Sequence, residues 1–437
     1  MDERYIIAIE TGSSKIKGAI GTIENGDILS VKAVEEQPLI DAVRNGLVNN
    51  ITSTANATKN ILKKIENRVS PRKVEGVYVA VGGRSVMSYR LEVERRLMPE
   101  TEITSTLIEQ LKNETLSKGV PGKEILQVVP IEYIVDNKRV HNPIGVYGSD
   151  IKMVSNLIAC RPQLKRNLDL LVTDKLGLKI EGYVVRQIAQ ADLVLTPEEK
   201  RLGCMFVDLG AETTTVSIYK HGALQYLVTI PIGSRNITHD ITTLNHLEED
   251  AEAIKKQRGH AGKKSNSGVD NVEFSEINNL IHHRAAEIIA NINQQFKPDE
   301  NIGYAGFKPS ELPAGVIIVG RGAKLTDFNT LLGKMLEMNV RAGSLISHSV
   351  RIAAGSINPA DAIDVISILY GAIALGAHEC LSKPVVEETV ETEPVEVDDF
   401  EEEEPRGWKS KGFFTKLGKK IGNFLTEPDE DQDEEDF

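Results

Sequence analysis

An apolar strand that ends in an acid and then turns on glycine and hydroxyl residues occurs twice in this chain. That repeated pattern limits the fold more than any other feature. The first copy, IETGSSKIKGAIG, has Ile6, Ala8 and Ile9 leading into Glu10, then Thr11, Gly12, Ser13, Ser14 and Lys15. The second, FVDLGAETTTVSIY, has Phe206 and Val207 leading into Asp208, Leu209 and Gly210, then Thr213, Thr214 and Thr215. Such a turn can aim backbone N–H groups at phosphate oxygens, with hydroxyls and the Lys15 ammonium adding charge-assisted bonds. An acid at a strand end is placed to hold hydrated Mg²⁺, which keeps most of its waters. A third segment, VIIVGRGAKL, runs a strand through Gly320, Arg321 and Gly322 into a helix, where missing side chains let a ligand approach the backbone. Any one of these alone is more often only a plain turn; the three together read as one constellation. A helical stretch, DAEAIK, places Glu252 and Lys255 three residues apart on one face. By itself that face is a solvated one; beside the other segments it can hydrogen-bond a ribose and a base.

Between these segments, strands alternate with helices, which predicts an α/β architecture with mixed sheets. Tyr5–Glu10, Ile16–Gly21, Val74–Val81, Leu178–Val185, Gly203–Asp208 and Gly315–Val319 read as strands. Ala55–Val69, Asn167–Leu176 and Ile363–His378 read as helices. Residues 84–162 form a β-rich block with Val128–Val135 and Ile151–Ala159 as its clearest strands and one helix near Ser105–Lys118. Residues 241–314 are mostly helical and contain a polar insert, His260–Gly268, expected to be a flexible loop.

At 437 residues the chain is too long for one compact core, so more than one domain is expected. The net charge of −13 is confined to the last part of the sequence. Residues 384–405 hold eleven acids and no base, 406–426 six bases and no acid, and 427–437 eight acids, so residues 1–383 balance to zero. A neutral body gives no argument for nucleic-acid binding. No apolar run approaches the ~18–20 residues of a membrane-spanning helix. Met1–Glu10, mixed in charge and leading straight into a strand, predicts no signal peptide. Cys160, Cys204 and Cys380 stand far apart, which predicts buried single thiols in a reducing compartment and neither disulfides nor structural zinc.

The order of a first phosphate hairpin, a second and an adenosine turn resembles the actin/Hsp70/sugar-kinase superfamily. Within it the chain most resembles FtsA, the bacterial cell-division actin homologue. Supporting segments are VYVAVGGRSV, VVPIEYIVD with NPIGVYG, VLTPEEKRLG and DAEAIK, and the resemblance spans residues 4–380. It implies an actin-like (ribonuclease H-like) two-lobed α/β fold with a nucleotide cleft and an inserted β-rich subdomain. Residues 1–83 and 163–202 would form subdomain 1A, and 84–162 subdomain 1C, used in self-assembly. Residues 203–240 and 315–383 would form subdomain 2A, and 241–314 subdomain 2B, which binds the C-terminal peptide of the tubulin homologue FtsZ. By motif position, Gly12, Ser13 and Lys15 would touch the phosphates of ATP. Asp208, with Glu10, would hold Mg²⁺ through water. Gly210 and Thr213 would line the second hairpin, and Glu252, Lys255, Gly320 and Gly322 would surround the adenosine. Gln187 lies where relatives hold a water-orienting Glu or Gln; read alone it is a surface residue of a short helix. Arg284, in HHRAAEIIANI, sits where the family carries a basic residue facing the FtsZ peptide, and reads equally as a solvent-exposed helical arginine. The implied partners are FtsZ, further copies of the chain, anionic inner-membrane lipids and other division proteins.

Three departures bear on turnover. The family's second hairpin usually reads Asp-x-Gly-Gly-Gly-Thr, and here Ala211 and Glu212 replace two glycines. Ala211 disfavours positive φ, and a Glu212 carboxylate ~4 Å from a phosphate would cost a few kcal/mol, enough to weaken ATP by orders of magnitude. Arg321 replaces a glycine in the adenosine turn, where it would stack over adenine or point into solvent. Glu10 for the superfamily's usual aspartate is normal in this family. The expectation is ATP binding with slow or absent hydrolysis.

Residues 407–425, GWKSKGFFTKLGKKIGNFL, carry the sharpest local signal. On a helix, Phe413, Phe414, Leu417, Ile421, Phe424 and Leu425 fall within an arc of about 120°, while Lys409, Lys411, Lys416, Lys419 and Lys420 take the rest. Trp408 precedes the helix. An aromatic face opposite a lysine face suits insertion at an anionic membrane surface, each lysine contributing ~1 kcal/mol, and the resemblance implies that this surface is the cytoplasmic face of the inner membrane. Docking on the chain's own body and capture by a partner protein are the other readings of the same face. The acidic 384–405 cannot bury a core and reads as a disordered linker. Acidic residues 427–437 can fold back on the lysines and compete with lipid.

Three functions share this fold: a membrane tether for a division filament that itself polymerises, a small-molecule kinase, and a pilus-assembly ATPase relative. A kinase needs a catalytic base facing its substrate, and no convincing aspartate stands in the matching region.

Overall fold

The computed structural model describes residues 4–24, 28–262, 272–346, 350–352 and 359–383, all within one compact unit, Met1–Val385. The expected linker, the expected lysine-rich membrane segment, including Trp408, Phe413, Phe414, Lys416, Leu417, Lys420, Ile421 and Phe424, and the acidic tail lie outside the described residues, as do positions 263–268 of the polar insert.

Two sheets are built on one plan. In the first, Arg4–Thr11 and Lys15–Glu24 form an antiparallel hairpin, with Glu10 opposite Lys17 and Thr11 opposite Ile16. In the second, Cys204–Leu209 and Thr214–Lys220 do the same, with Asp208 opposite Thr215 and Leu209 opposite Thr214. Each hairpin's first strand then takes a parallel neighbour, Gly76–Val81 in one sheet and Val316–Val319 in the other. The first sheet has the order Lys179–Val185, Gly76–Val81, Arg4–Thr11, Lys15–Glu24, Ile28–Pro38, Val350–Ile352. Strands in the middle of such a sheet are covered on both faces, which is why they read as unbroken apolar runs. Every residue of Gly76–Val81, Cys204–Leu209 and Val316–Val319 is buried.

The helices start where their sequences signal it. Asn50 caps Ile51–Arg68 by accepting from Ser53 N, and Thr104 caps Ser105–Lys118 by accepting from Leu107 N. Pro197–Leu202 begins with a reciprocal Thr196–Glu199 capping box. The expected helix at Asn167–Leu176 differs from the finding. It begins at Pro162, runs as an α-helix to Asp169, and widens to a π-helix over Leu170–Lys175. Proline in the first turn loses no hydrogen bond, so Pro162 opens the helix rather than preventing it.

The inserted block continues the second sheet, whose order is Val340–Ala342, Val316–Val319, Cys204–Leu209, Thr214–Lys220, Ala223–Ile230, Met87–Glu102, Tyr147–Cys160, Glu124–Val135, Lys138–Val140. The join is narrow: strand pairing there is Val228 with Met87. Ser88 Oγ accepting from Leu227 N and Asn156 Nδ2 donating to Leu224 O reinforce it. The block keeps its own small core of Val93, Ile103, Leu111, Ile151 and Met153, fully buried. All three cysteines are buried and unpaired. Among the described residues no helix is long and apolar enough to cross a membrane.

Candidate functional site

The two hairpins make the same turn. Gly12 N donates to Lys15 O at 3.0 Å, and Gly210 N donates to Thr213 O at 2.9 Å. A Cβ would stand 2.8 Å from Lys15 O at Gly12 and 2.9 Å from Thr213 O at Gly210, so the turns close only on glycine. Gly320 brings the third segment against the second. It holds φ +91°, and a Cβ there would lie 2.3 Å from Leu209 O and 2.8 Å from Asp208 Oδ1. Gly322 packs on the Leu209 side chain, where a Cβ would be 2.5 Å from Cγ.

The first hairpin reaches the other two through charged groups. Glu10 and Asp208, nearly fully buried at their strand ends, are joined by Arg186. Its Nη1 lies 3.1 Å from Glu10 Oε1 and its Nη2 2.8 Å from Asp208 Oδ2. Burial opposes the guanidinium's charge, but Asp208, then Glu10 and Asp364, overcome this and hold it above the ordinary arginine range. Burial, then Asp364, pushes the Glu10 carboxyl up from 4.5 to about 7, against the pull of Arg186 and Lys17. Lys17 pairs with Asp364 on the closing helix Pro359–Ala374. Lys15 and Arg321 share Glu36: Lys15 Nζ lies 2.5 Å from one carboxylate oxygen and Arg321 Nη2 2.7 Å from the other. Arg321, expected on adenine or in solvent, is thus an ion-pair link between the first sheet and the third turn.

Glu212 also differs from expectation. Neither it nor Ala211 adopts positive φ, so the turn tolerates both substitutions. The carboxylate is turned onto the loop of the opposite lobe, accepting from Asn45 N at 2.6 Å and Arg44 Nη1 at 3.0 Å. Arg235 Nη1 adds a third bond at 3.3 Å, while its Nε holds Glu248 at 2.7 Å. Asn45 and Asp41 sit at φ 51° and 55°, a region asparagine and aspartate reach more readily than other side chains. Ser13 Oγ accepts from Gly46 N in the same loop at 3.3 Å.

Gln187 follows Arg186 on the helix Arg186–Val194 and is buried. Among the described residues neither of its side-chain polar atoms has a partner. It lies against Gly82, where a Cβ would be 3.2 Å from Nε2. Lys255 is buried and commits its ammonium to Ser234 O at 3.0 Å, Thr238 Oγ1 at 2.7 Å and Glu252 Oε2 at 2.6 Å. Burial lowers its pKa and Glu252 opposes that. Arg284, on the helix Val272–Gln294, grips Asp240 with two bonds, Nε to Oδ2 at 2.6 Å and Nη2 to Oδ1 at 2.8 Å, and reaches Glu287 at 2.6 Å.

A hydrated Mg²⁺ between Glu10 and Asp208 does not fit this arrangement. The guanidinium of Arg186 stands between the two carboxylates, hydrogen-bonding Glu10 Oε1 and pairing at 2.8 Å with Asp208 Oδ2, a buried oxygen that has no hydrogen bond among the described residues. Among the described residues no group of three acidic, histidine or cysteine side chains is placed to bind a metal. The motif reading found the turns and missed Arg186, Glu36, Arg44, Asn45 and Arg235. An arginine directly after the apolar strand Lys179–Val185, where the chain enters the core, is the one signal that marked Arg186.

Comparison with known proteins adds the following. The sequence model of the family described as "Cell division protein FtsA" matches residues 205–360, and that of the "SHS2 domain inserted in FTSA" matches 83–159. The chain is 31% identical over 343 residues to the cell division protein FtsA of Porphyromonas gingivalis, covering 75% of this chain and 70% of that one. To the FtsA of Escherichia coli K12 it is 24% identical over 360 residues, covering 78% and 84%. Among solved structures, the PilM-PilN type IV pilus biogenesis complex superposes with TM-score 0.59 at 16% identity, covering 85% of this chain and 98% of that one. The fold is the actin-like one, with the inserted domain between its first and second hairpins.

Proposed function

Because the chain belongs to the FtsA family of bacterial cell-division proteins, we propose that it is the ATP-binding tether that polymerises at the cytoplasmic face of the inner membrane and holds FtsZ filaments there. The observation that carries the nucleotide reading is that the Gly320 turn packs against the second hairpin at Asp208, that Arg186 pairs Asp208 with Glu10 at the end of the first hairpin's strand, and that Lys15 and Arg321 share Glu36. Two hairpins that each end an apolar strand in an acid and turn on a glycine supply backbone N–H groups from both lobes to one anionic ligand. The unpartnered, buried amide of Gln187 beside Arg186 supports a polar ligand or water at the same place. Gly12, Ser13, Lys15, Gly210 and Thr213 would hold phosphates, with Gly320, Gly322, Glu252 and Lys255 around the adenosine. For phosphate to take Lys15, Glu36 must give it up, a competition that keeps affinity modest. The chemistry ATP would supply is cleavage of its terminal phosphate, and Gln187 is the residue whose amide would orient water there. With Arg186 and Lys17 already paired to the acids beside them, neither cation is spare for a developing phosphate charge, and turnover is slow or absent.

Tethering follows from the segments beyond the cleft. Residues 84–162 serve self-assembly, 241–314 take the FtsZ C-terminal peptide, and 406–426 lie in the lipid interface. Arg284 would meet the acidic FtsZ peptide only by sharing or releasing Asp240, so that contact is an exchange of ion pairs. The test is co-sedimentation of the full chain with FtsZ on anionic liposomes. FtsZ is expected in the pellet only when both the chain and its residues 406–426 are present. FtsZ pelleting equally without 406–426 would refute the tether, and absence of saturable ATP-analogue binding would refute the nucleotide reading.

A further inference from the structure

The cleft floor holds three acids, Glu10, Asp208 and Asp364, facing two cations, Arg186 and Lys17. Arg186 is set in place by the chain on both sides. It is the first residue of the helix Arg186–Val194, directly after the buried end of Lys179–Val185, and its side chain is 15% exposed. A guanidinium is charged at every pH a folded protein meets and is more weakly hydrated than an ammonium, so it suits a buried bridge between carboxylates. Mg²⁺ would need a near-octahedral shell of oxygens, several of them water, in the space these nitrogens fill. Removing Arg186 to admit it would leave a desolvated cation to be placed elsewhere.

We propose that Arg186 is the resident cation of this cleft, standing in for the divalent metal between Glu10 and Asp208, so that the chain takes up ATP without Mg²⁺. This rests on the cleft being an ATP site, the reading put forward above. Arg186 acts as a positioning residue: it fixes the two strand-end carboxylates, one from each hairpin, and presents one fixed positive charge between the lobes. A metal that cannot enter also cannot report the nucleotide state, so the chain's response to ATP is independent of divalent-ion concentration.

The experiment is a titration of the full chain with a fluorescent ATP analogue in excess Mg²⁺ and in EDTA, run beside Arg186→Ala. The wild-type dissociation constants are expected to agree within about threefold, and the variant to bind at least about tenfold more weakly in EDTA than in Mg²⁺. In parallel, melting curves are recorded with and without Mn²⁺ and no nucleotide. Mn²⁺ is expected to raise the melting temperature of Arg186→Ala, by neutralising the exposed pair of acids, and to leave the wild type unchanged. A wild-type affinity that falls about tenfold or more in EDTA, or a wild-type melt that shifts with Mn²⁺, overturns the proposal. If neither chain binds the analogue in any buffer, the ATP reading fails, and the Mn²⁺ melts decide the role of Arg186 separately. If Arg186→Ala does not fold, the two wild-type comparisons still decide it, with Arg186→Lys as the charge-preserving variant.

Discussion

Glu212 reaches from the second hairpin to the loop at Arg44 and Asn45, and Glu212→Gly removes that clasp between the lobes. The carboxylate satisfies the Asn45 N–H at 2.6 Å, a charge-assisted bond of about 1.5–3 kcal/mol. Its bonds to Arg44 and Arg235 add less, because Arg44 is 47% exposed and Arg235 is shared with Glu248 and Asp41, so each contributes about 0–1 kcal/mol. The sum is about 3 kcal/mol. For a folded unit of this size the entropy of unfolding converts that into a fall in melting temperature of about 4 °C. The assay is a thermal melt of wild type, Glu212→Gly and Glu212→Gln at low and high salt. Glutamine keeps one acceptor oxygen for Asn45 and should lose about half as much. A double-mutant cycle with Arg235→Ala should show coupling of about 1 kcal/mol. If Glu212→Gly melts with the wild type, the carboxylate is not a clasp, and the reasoning from its three partners is wrong.

The raised pKa of Glu10 sets a pH dependence of known sign. The unfolded chain releases this proton near 4.5 and the folded one near 7, so stability attributable to Glu10 is present below about pH 4.5 and is lost as pH rises through about 7. Urea melts should show the wild type losing up to about 3 kcal/mol relative to Glu10→Gln between pH 5 and 8, and parallel curves would contradict this. Gly320→Ala should cost at least about 2 kcal/mol by chemical denaturation, whereas Gly122→Ala, also at positive φ but with nothing within 4 Å of its Cβ, should cost about 1 kcal/mol. Deleting residues 427–437 should strengthen flotation with anionic liposomes at low salt, since it removes eight acids beside six bases. Unchanged flotation would show that the acidic tail does not compete with lipid.

How much of this was legible in the chain depended on how far each feature reaches. Hairpin turns, strand ends and helix caps are local: Gly12 must clear Lys15 O three residues away, and Asn50 caps its helix through Ser53. Their geometry is written in a few consecutive residues, so the alternation of strands and helices, the two matching hairpins and the Gly320 turn could be read directly. The start of the helix at Pro162 was also local, and the expected Asn167–Leu176 missed its first turn.

The electrostatics of the cleft were of another kind. Arg186 meets Glu10 across 176 positions, Glu212 meets Asn45 across 167, and Arg321 meets Glu36 across 285. A charge carries no sign in the sequence of which opposite charge will face it. Only the packing of two sheets decided that the arginine after Val185 would lie between the two strand-end acids, and that Glu212 would turn away from the hairpin it interrupts. The reason is physical: a buried charge is tolerated only where folding delivers its counter-charge at hydrogen-bonding distance, and that delivery is a property of the assembled lobes.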